Sequence, residues 1–305
     1  MNKLKLGQSS LHASDIVMGC MRIGDMQPKE AAAWIEQGLT LGIDMFDHAD
    51  IYGGGKAEEV FAKALRELPG YREKMILQSK CGICNGYFDF SKEHILQSVE
   101  GILQRLGIET LDVLLLHRPD TLMEPEEVAA AFDALHSAGK VQHFGVSNQN
   151  PLQMQLLAGT VKQPLIINQL QLSPANTGMI DCGLNANTHF DAGINRDGSV
   201  LEYCRLNNVT IQTWSSLQYG WFEGTYLGNP KYEALNIVLR RIAKERNVTG
   251  AAVAIAWILR HPAKMQVIVG STNLERMKEI AAAQKVSLSR KEWYEIYLAA
   301  GNTLP

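Results

Sequence analysis

Short runs rich in Val, Ile and Leu alternate with amphipathic segments from one end of the chain to the other, and eight such strand-plus-helix units can be counted. A helix between two strands carries the chain back to the starting edge, so the strands pair in parallel through right-handed crossovers. The spacing predicts strands over Asp15–Cys20, Gly42–Asp47, Lys74–Lys80, Leu111–His117, Gln142–Ser147, Leu165–Leu170, Thr210–Ser215 and Gln266–Val269. Helix punctuation agrees: Pro28 precedes Ala32, Ile35 and Leu39, Ser91 stands ahead of Ile95, Val99 and Ile102 with Gly107 as the stop, and Pro125 and Gly139 bracket a fourth helix. Eight units in 305 residues, with no linker or shift in composition, fit an α/β chain folded as one closed (β/α)8 TIM barrel, a single domain over 1–305. Two irregular stretches, 173–198 and 218–230, follow predicted strand ends and are expected as long loops on the C-terminal face, where barrels place ligand contacts.

Composition narrows the function. With 46% hydrophobic and 20% charged residues and a net charge of −3, the chain has the profile of a soluble globular protein without the basic excess that holds nucleic acid. Lys3 and Lys5 lead into Gly7, Ser9, Ser10, His12 and Asp15 rather than an apolar signal core, and no stretch approaches the ~20 apolar residues of a membrane span, so a cytoplasmic location is expected. The five cysteines, an odd number in a long chain, argue for reduced thiols. Cys81 and Cys84 form a C-x-x-C, but no second pair completes a zinc set and Gly86, Tyr87 and Phe88 follow instead of an immediate helix.

Polar residues gather where the apolar runs end. Asp47 and Tyr52 lie in GIDMFDHADIYGGG, Lys80 closes MILQSK, and His117 closes LDVLLLH. Parallel neighbouring strands would bring a carboxylate, a phenol, an ammonium and an imidazole to one rim, a set suited to general acid catalysis on an oxygen. A free phenol near pKa 10 donates poorly at neutral pH. A Lys80 ammonium beside Tyr52 would favour the phenolate and lower that pKa, Asp47 would orient the lysine, and His117 would hydrogen-bond the substrate oxygen. Taken singly, each has an ordinary explanation: a surface aromatic, a loop cap, a solvated strand end, and a histidine before the Arg118-Pro119 turn.

Together these residues resemble the aldo-keto reductase superfamily. The pattern D-x-A-x-x-Y-G stands here as Asp47, Ala49, Tyr52 and Gly53, followed by Lys80 and by L-L-L-H ending at His117, and the likeness spans nearly the whole chain. The resemblance implies that Asp47, Tyr52, Lys80 and His117 are catalytic. It also implies that Ser147 and Asn148 of G-V-S-N and Gln169 of N-Q hold a nicotinamide carboxamide, which needs donors and acceptors together. Trp214 falls where the family usually has a stacking tyrosine, and Ser215 and Leu217 resemble the start of its pyrophosphate loop, with Ser216 between them in place of proline or alanine. Gly270, Ser271, Asn273 and Arg276 resemble the adenosine-end signature, in which Arg276 suits a 2′-phosphate while a basic residue is missing at Gly270. NADP(H) is therefore favoured over NAD(H). The bland reading, in which Ser271 or Asn273 caps the last barrel helix, is compatible with cofactor binding. Met21 and Arg22 are placed with the cofactor residues, and Cys20, Cys81, Trp221 and Phe222 are expected beside them at the mouth.

The resemblance implies hydride transfer from NAD(P)H to an aldehyde or ketone, with Tyr52 as proton donor and a small carbonyl compound as partner, in a monomer or small homo-oligomer. Nucleic acid, membrane and bound metal are not expected. Two rivals are a catalytically weak cofactor-sensing regulatory subunit of the same fold and a metal-dependent barrel hydrolase using Asp47, His48, Asp50 and His117, although the H-x-H pair of such barrels is missing.

Overall fold

The computed structural model describes residues 1–220 and 222–305. Its centre is a closed barrel of eight parallel strands: β3 (Ile16–Gly19), β4 (Met45–Asp47), β5 (Ile76–Cys81), β6 (Leu111–Leu116), β7 (Val141–Ser147), β8 (Leu165–Gln171), β9 (Thr210–Trp214) and β10 (Gln266–Val269), with β10 pairing back onto β3. A hairpin that the periodicity did not predict, β1 (Lys3–Lys5) paired antiparallel with β2 (His12–Ser14), precedes them. Its Leu6 and Ala13 cluster with Val17, Met45, Val113, Leu115, Ile166 and Ile167, which makes the hairpin the floor of the barrel.

The helices follow in chain order: α1 (Pro28–Thr40), α2 (Lys56–Arg66), α3 (Lys92–Leu106), α4 (Pro125–Ser137), α5 (Pro151–Ala158), α6 (Gly178–Leu184), α7 (Val200–Leu206), α8 (Glu233–Arg246), α9 (Gly250–Leu259), α10 (Leu274–Ala281) and α11 (Arg290–Ala299). The predicted punctuation is in place. Pro28 and Pro125 start their helices, the Ser91 hydroxyl accepts from the His94 N–H, and Gly107 ends α3 at a φ of +65°. The main core lies between barrel and helices, because parallel strands covered on both faces must be apolar on both.

Several boundaries differ from the expected ones for local reasons. The second strand begins at Met45 rather than Gly42, and the third at Ile76 because Arg72–Lys74 forms a 3-10 turn. Cys20 opens a 3-10 turn, and β9 stops at Trp214 because Ser215 adopts a φ of +52°. The stretch 173–198 is not wholly irregular, since it holds α6 and a 3-10 turn at Asp191–Gly193. Among the described residues no helix is long and apolar enough to cross a membrane.

Candidate active site

The C-terminal ends of β4, β5 and β6 bring the expected quartet together. Asp47 is the last residue of β4, Lys80 lies one residue from the end of β5, and His117 follows β6, its N–H donating to the Cys81 carbonyl at 2.9 Å. Tyr52 begins a tight turn in which Gly53, Gly54 and Gly55 take φ values of +61°, +64° and +92°, a conformation that favours glycine. The Lys80 ammonium is fully buried and donates to the Asp47 carboxylate at 2.8 Å, to the His48 carbonyl at 2.7 Å and to the Tyr52 hydroxyl at 3.0 Å. Lysine's three hydrogens are thus all used. The rings of Tyr52 and His117 meet edge to face with centroids 6.1 Å apart.

Electrostatics correct one expectation. Desolvation pushes the Tyr52 phenol above its ordinary pKa, Lys80 pulls it down, Asp47 pushes it up again, and the net direction is upward rather than the expected fall. Lys80 ends above its usual value: burial pulls it down, but Asp47 and Tyr52 together outweigh that pull. Burial, reinforced by Lys80 and Arg118, holds His117 well below its ordinary value, so its ring is neutral at physiological pH and can donate one N–H.

One cavity of about 840 Å³ is lined by Asp47, Tyr52 and His117 at one end and continues past Ser147, Asn148 and Gln169 to Ser271, Asn273 and Arg276. Met21, Arg22, Trp214, Ser215, Leu217 and Gly270 also line it. Lys80 stays behind Asp47 and Tyr52, outside the lining. The Ser147 hydroxyl donates to the Gln169 carbonyl at 2.9 Å, and the Asn148 amide donates to Ser147 Oγ at 2.7 Å and accepts from the Trp214 indole at 3.2 Å. Asn148 takes a φ of +56°, a conformation that asparagine tolerates better than most residues. The Trp214 ring stacks on Phe222 with centroids 5.9 Å apart, and the Arg118 guanidinium lies 5.5 Å from its centre. At the far end the Asn273 side chain caps α10 by accepting from the Arg276 N–H at 2.9 Å, as the bland reading had it, and the exposed Arg276 guanidinium makes no ion pair among the described residues.

Some expectations fail. Cys20 and Cys81 are fully buried and do not line the mouth, because each side chain turns into the core; burial pushes both thiols far above their ordinary range. Phe222 does line the cavity, and Trp221 lies outside the described residues. Asp47, His48, Asp50 and His117 do not gather as ligands: among the described residues no group of three or more His, Cys, Asp or Glu side chains could hold a metal. All five cysteines are unpaired.

Sequence reasoning missed Arg118, Ile51 and Ile83, which line the cavity. Arg118 was visible in H-R-P directly after His117 but was read as part of a turn. It missed three buried glutamines, Gln78, Gln212 and Gln266; only Gln266, at the head of the apolar run QVIV, stood out as an amide in an otherwise apolar strand.

The sequence model described as the Aldo/keto reductase family matches residues 15–298. A 6-dehydroglucose reductase of Agrobacterium fabrum is 38% identical over 95% of each chain, and the oxidoreductase YdhF of Escherichia coli is 35% identical over 94% of this chain and 93% of its own. Among solved structures, the thermostable aldo-keto reductase Tm1743, in complex with the inhibitor epalrestat, superposes with a TM-score of 0.77 at 23% identity over 98% of this chain and 100% of that one, a likeness of fold. The chain belongs to the aldo/keto reductase family of nicotinamide-dependent oxidoreductases.

Proposed function

We propose that this chain is a single-domain, cytoplasmic NAD(P)H-dependent carbonyl reductase in which Tyr52 is the proton donor. The observation that carries the reading is the buried Lys80 ammonium, bonded at once to the Tyr52 hydroxyl at 3.0 Å and the Asp47 carboxylate at 2.8 Å at the end of a large cavity. The residues suit a nicotinamide cofactor. Both Gln169 amide hydrogens are engaged inside the barrel, which leaves its Oε1 to accept from a carboxamide, and Ser147 and Asn148 stand next to it. The α10 N-terminus and Arg276 suit a phosphate. A Cβ at Gly270 would meet nothing within 4 Å, so this position has room for the basic side chain it lacks. Arg276 favours NADP(H) over NAD(H).

When bound, the cofactor supplies the hydride. Tyr52 holds its proton through the neutral range because burial raises its pKa, and gives it to the carbonyl oxygen as negative charge develops there. Lys80 stabilises the phenolate left behind, Asp47 fixes Lys80, and the neutral His117 donates to the same oxygen. The 6-dehydroglucose reductases among the relatives make an aldehyde-bearing hexose the first substrate class to assay.

Tyr52→Phe should lower kcat by about a hundredfold to ten-thousandfold, the usual worth of a positioned acid, while NADPH binding stays within about twofold. Steady-state assays over a panel of aldehydes, ketones and dicarbonyls with NADPH and NADH make the check. Near-parental turnover in that variant would remove Tyr52 from the role, and no cofactor oxidation with any carbonyl would favour a sensing subunit.

A further inference from the structure

Beneath the cavity, four glutamine amides cross the barrel interior in one hydrogen-bonded row. Their strands are in register: Gln78 of β5 lies beside Asp47 of β4, and Gln212 of β9 lies beside both Gln169 of β8 and Gln266 of β10. Gln78, Gln212 and Gln266 are wholly buried, and Gln169 is nearly so. The neighbouring interior cluster, with Val17, Met45, Val113, Leu115 and Ile167, is apolar, and Val113 stands beside Gln78 in the register, so the amides are set among apolar side chains. Burying amides is unfavourable unless they are bonded, which makes the row more than filler.

The row has a fixed direction. The Ser14 carbonyl can only accept, so Gln266 Nε2 donates to it at 2.7 Å and turns its own Oε1 toward Gln212 Nε2, 2.9 Å away. Gln212 Oε1 is then left to accept from both Gln78 Nε2 at 2.8 Å and Gln169 Nε2 at 3.0 Å. The second hydrogens of those two amides reach one carboxylate oxygen, Asp47 Oδ1, at 2.6 and 3.1 Å. A carboxylate also only accepts, so both ends impose the same polarity and no amide can flip without placing oxygen against oxygen. Gln78 Oε1 finds no partner among the described residues, the consequence of aiming both its hydrogens as the row demands.

We infer that Gln212, which is wholly buried and does not line the cavity, is a positioning residue that aligns both halves of the site: through Gln78 it orients the Asp47 carboxylate behind Lys80 and Tyr52, and through Gln169 it presents the amide oxygen left for the cofactor. One acceptor atom serves both branches. Cutting a branch should therefore affect one function, and removing the shared acceptor should affect two. The inference rests on the proposed function: its turnover arm on the carbonyl-reductase reading and its affinity arm on the assignment of Gln169 to the cofactor.

The test compares full-length Gln78→Met, Gln212→Met and Tyr52→Phe, each shown to be folded by circular dichroism, measuring kcat with a reducible carbonyl and the NADPH Kd by equilibrium fluorescence titration. Gln78→Met should lower kcat about tenfold with Kd within about twofold, as expected for losing one charge-assisted bond to Asp47. Gln212→Met should lower kcat about tenfold and also weaken NADPH binding by about threefold or more, because Gln169 is then free to turn. A folded Gln212→Met chain with parental kcat and Kd overturns the inference, as does a loss of thermal stability alone. If Gln212→Met does not fold, Gln266→Met decides: it frees the Gln212 amide to flip, and the same two losses in weaker form are expected, whereas parental values overturn. Full turnover in Tyr52→Phe would sink the functional reading, yet the contrast in Kd between Gln78→Met and Gln212→Met would still judge the row.

Discussion

Lys80 shows at residue scale how context decides the chemistry of a side chain. From the sequence it was expected to draw the Tyr52 phenol down, and it does pull in that direction, but burial and Asp47 push harder the other way. In the proposed mechanism this makes Tyr52 an acid that keeps its proton until an oxyanion develops, with the ammonium already bonded to the oxygen that would carry the charge. Three residues after Asp47, another carboxyl is shifted by its surroundings. Asp50 is pushed up to about 7 by desolvation and then by Glu58, and its Oδ1 has no partner among the described residues. A folded-state pKa above the unfolded value means that the native chain binds the extra proton, so the stabilisation is complete below about 3.8 and is lost as pH rises toward 7. Asp50→Asn removes this linkage. Relative to the parent, the variant should gain roughly 1 kcal/mol of stability per pH unit between pH 4 and 7, read from urea unfolding at several pH values. Parallel stability curves for parent and variant would mean that Asp50 titrates normally.

At the scale of single elements, β7 explains why G-V-S-N could be recognised and why its geometry could not. The register between β7 and β8 shifts between Phe144 and Val146, a bulge that brings Ser147 opposite Gln169 and lets Asn148 take its left-handed turn. Gly145 sits at the shift because an added Cβ would stand 2.7 Å from the Ile167 carbonyl and 2.7 Å from Leu115 Cδ2. Gly145→Ala should destabilise the chain by about 1–3 kcal/mol, the usual range for overpacking, and weaken NADPH binding as Ser147 and Asn148 are displaced. Thermal unfolding and a binding titration on the same sample check both effects; loss of stability with parental affinity would show that the bulge does not aim those residues. The eight barrel strands and the capped helices were legible because apolar runs and Pro, Ser and Gly punctuation are local signals. The floor hairpin was not, since Lys3–Lys5 and His12–Ser14 are too short to show a period and gain their place by packing Leu6 and Ala13 into the barrel. The glutamine row was hidden for a related reason: each amide lies in its own strand, and only the register of β8, β9 and β10 and the closure that brings β5 across to β9 join them.

Across the whole molecule, the cavity is built by both ends of the fold. Its lining begins at Gly19, where β3 ends, and finishes at Ile280 in α10, and β3 and β10 are the first and last strands that meet to close the barrel. A ligand spanning this cavity therefore bridges the closing seam and should stabilise the entire chain rather than one loop. At a hundred times its Kd, NADPH should add about 2.7 kcal/mol, which for a chain of this size raises Tm by about 4 °C. On the proposed reading, the exposed Arg276 at the seam's far end supplies the discrimination. At equal NADPH concentration Arg276→Gln should lose about tenfold in affinity, the worth of a charge-assisted bond to phosphate, and with it much of the Tm increment, while the smaller increment given by NADH stays as in the parent. Placing lysine at Gly270, where a Cβ has open space, should move the balance the opposite way and enlarge the NADPH increment. Differential scanning fluorimetry with both cofactors reads all three chains. Equal loss of the NADPH and NADH increments in Arg276→Gln would mean that the arginine binds what the two cofactors share, and the preference for NADP(H) would then have to come from elsewhere in the cavity.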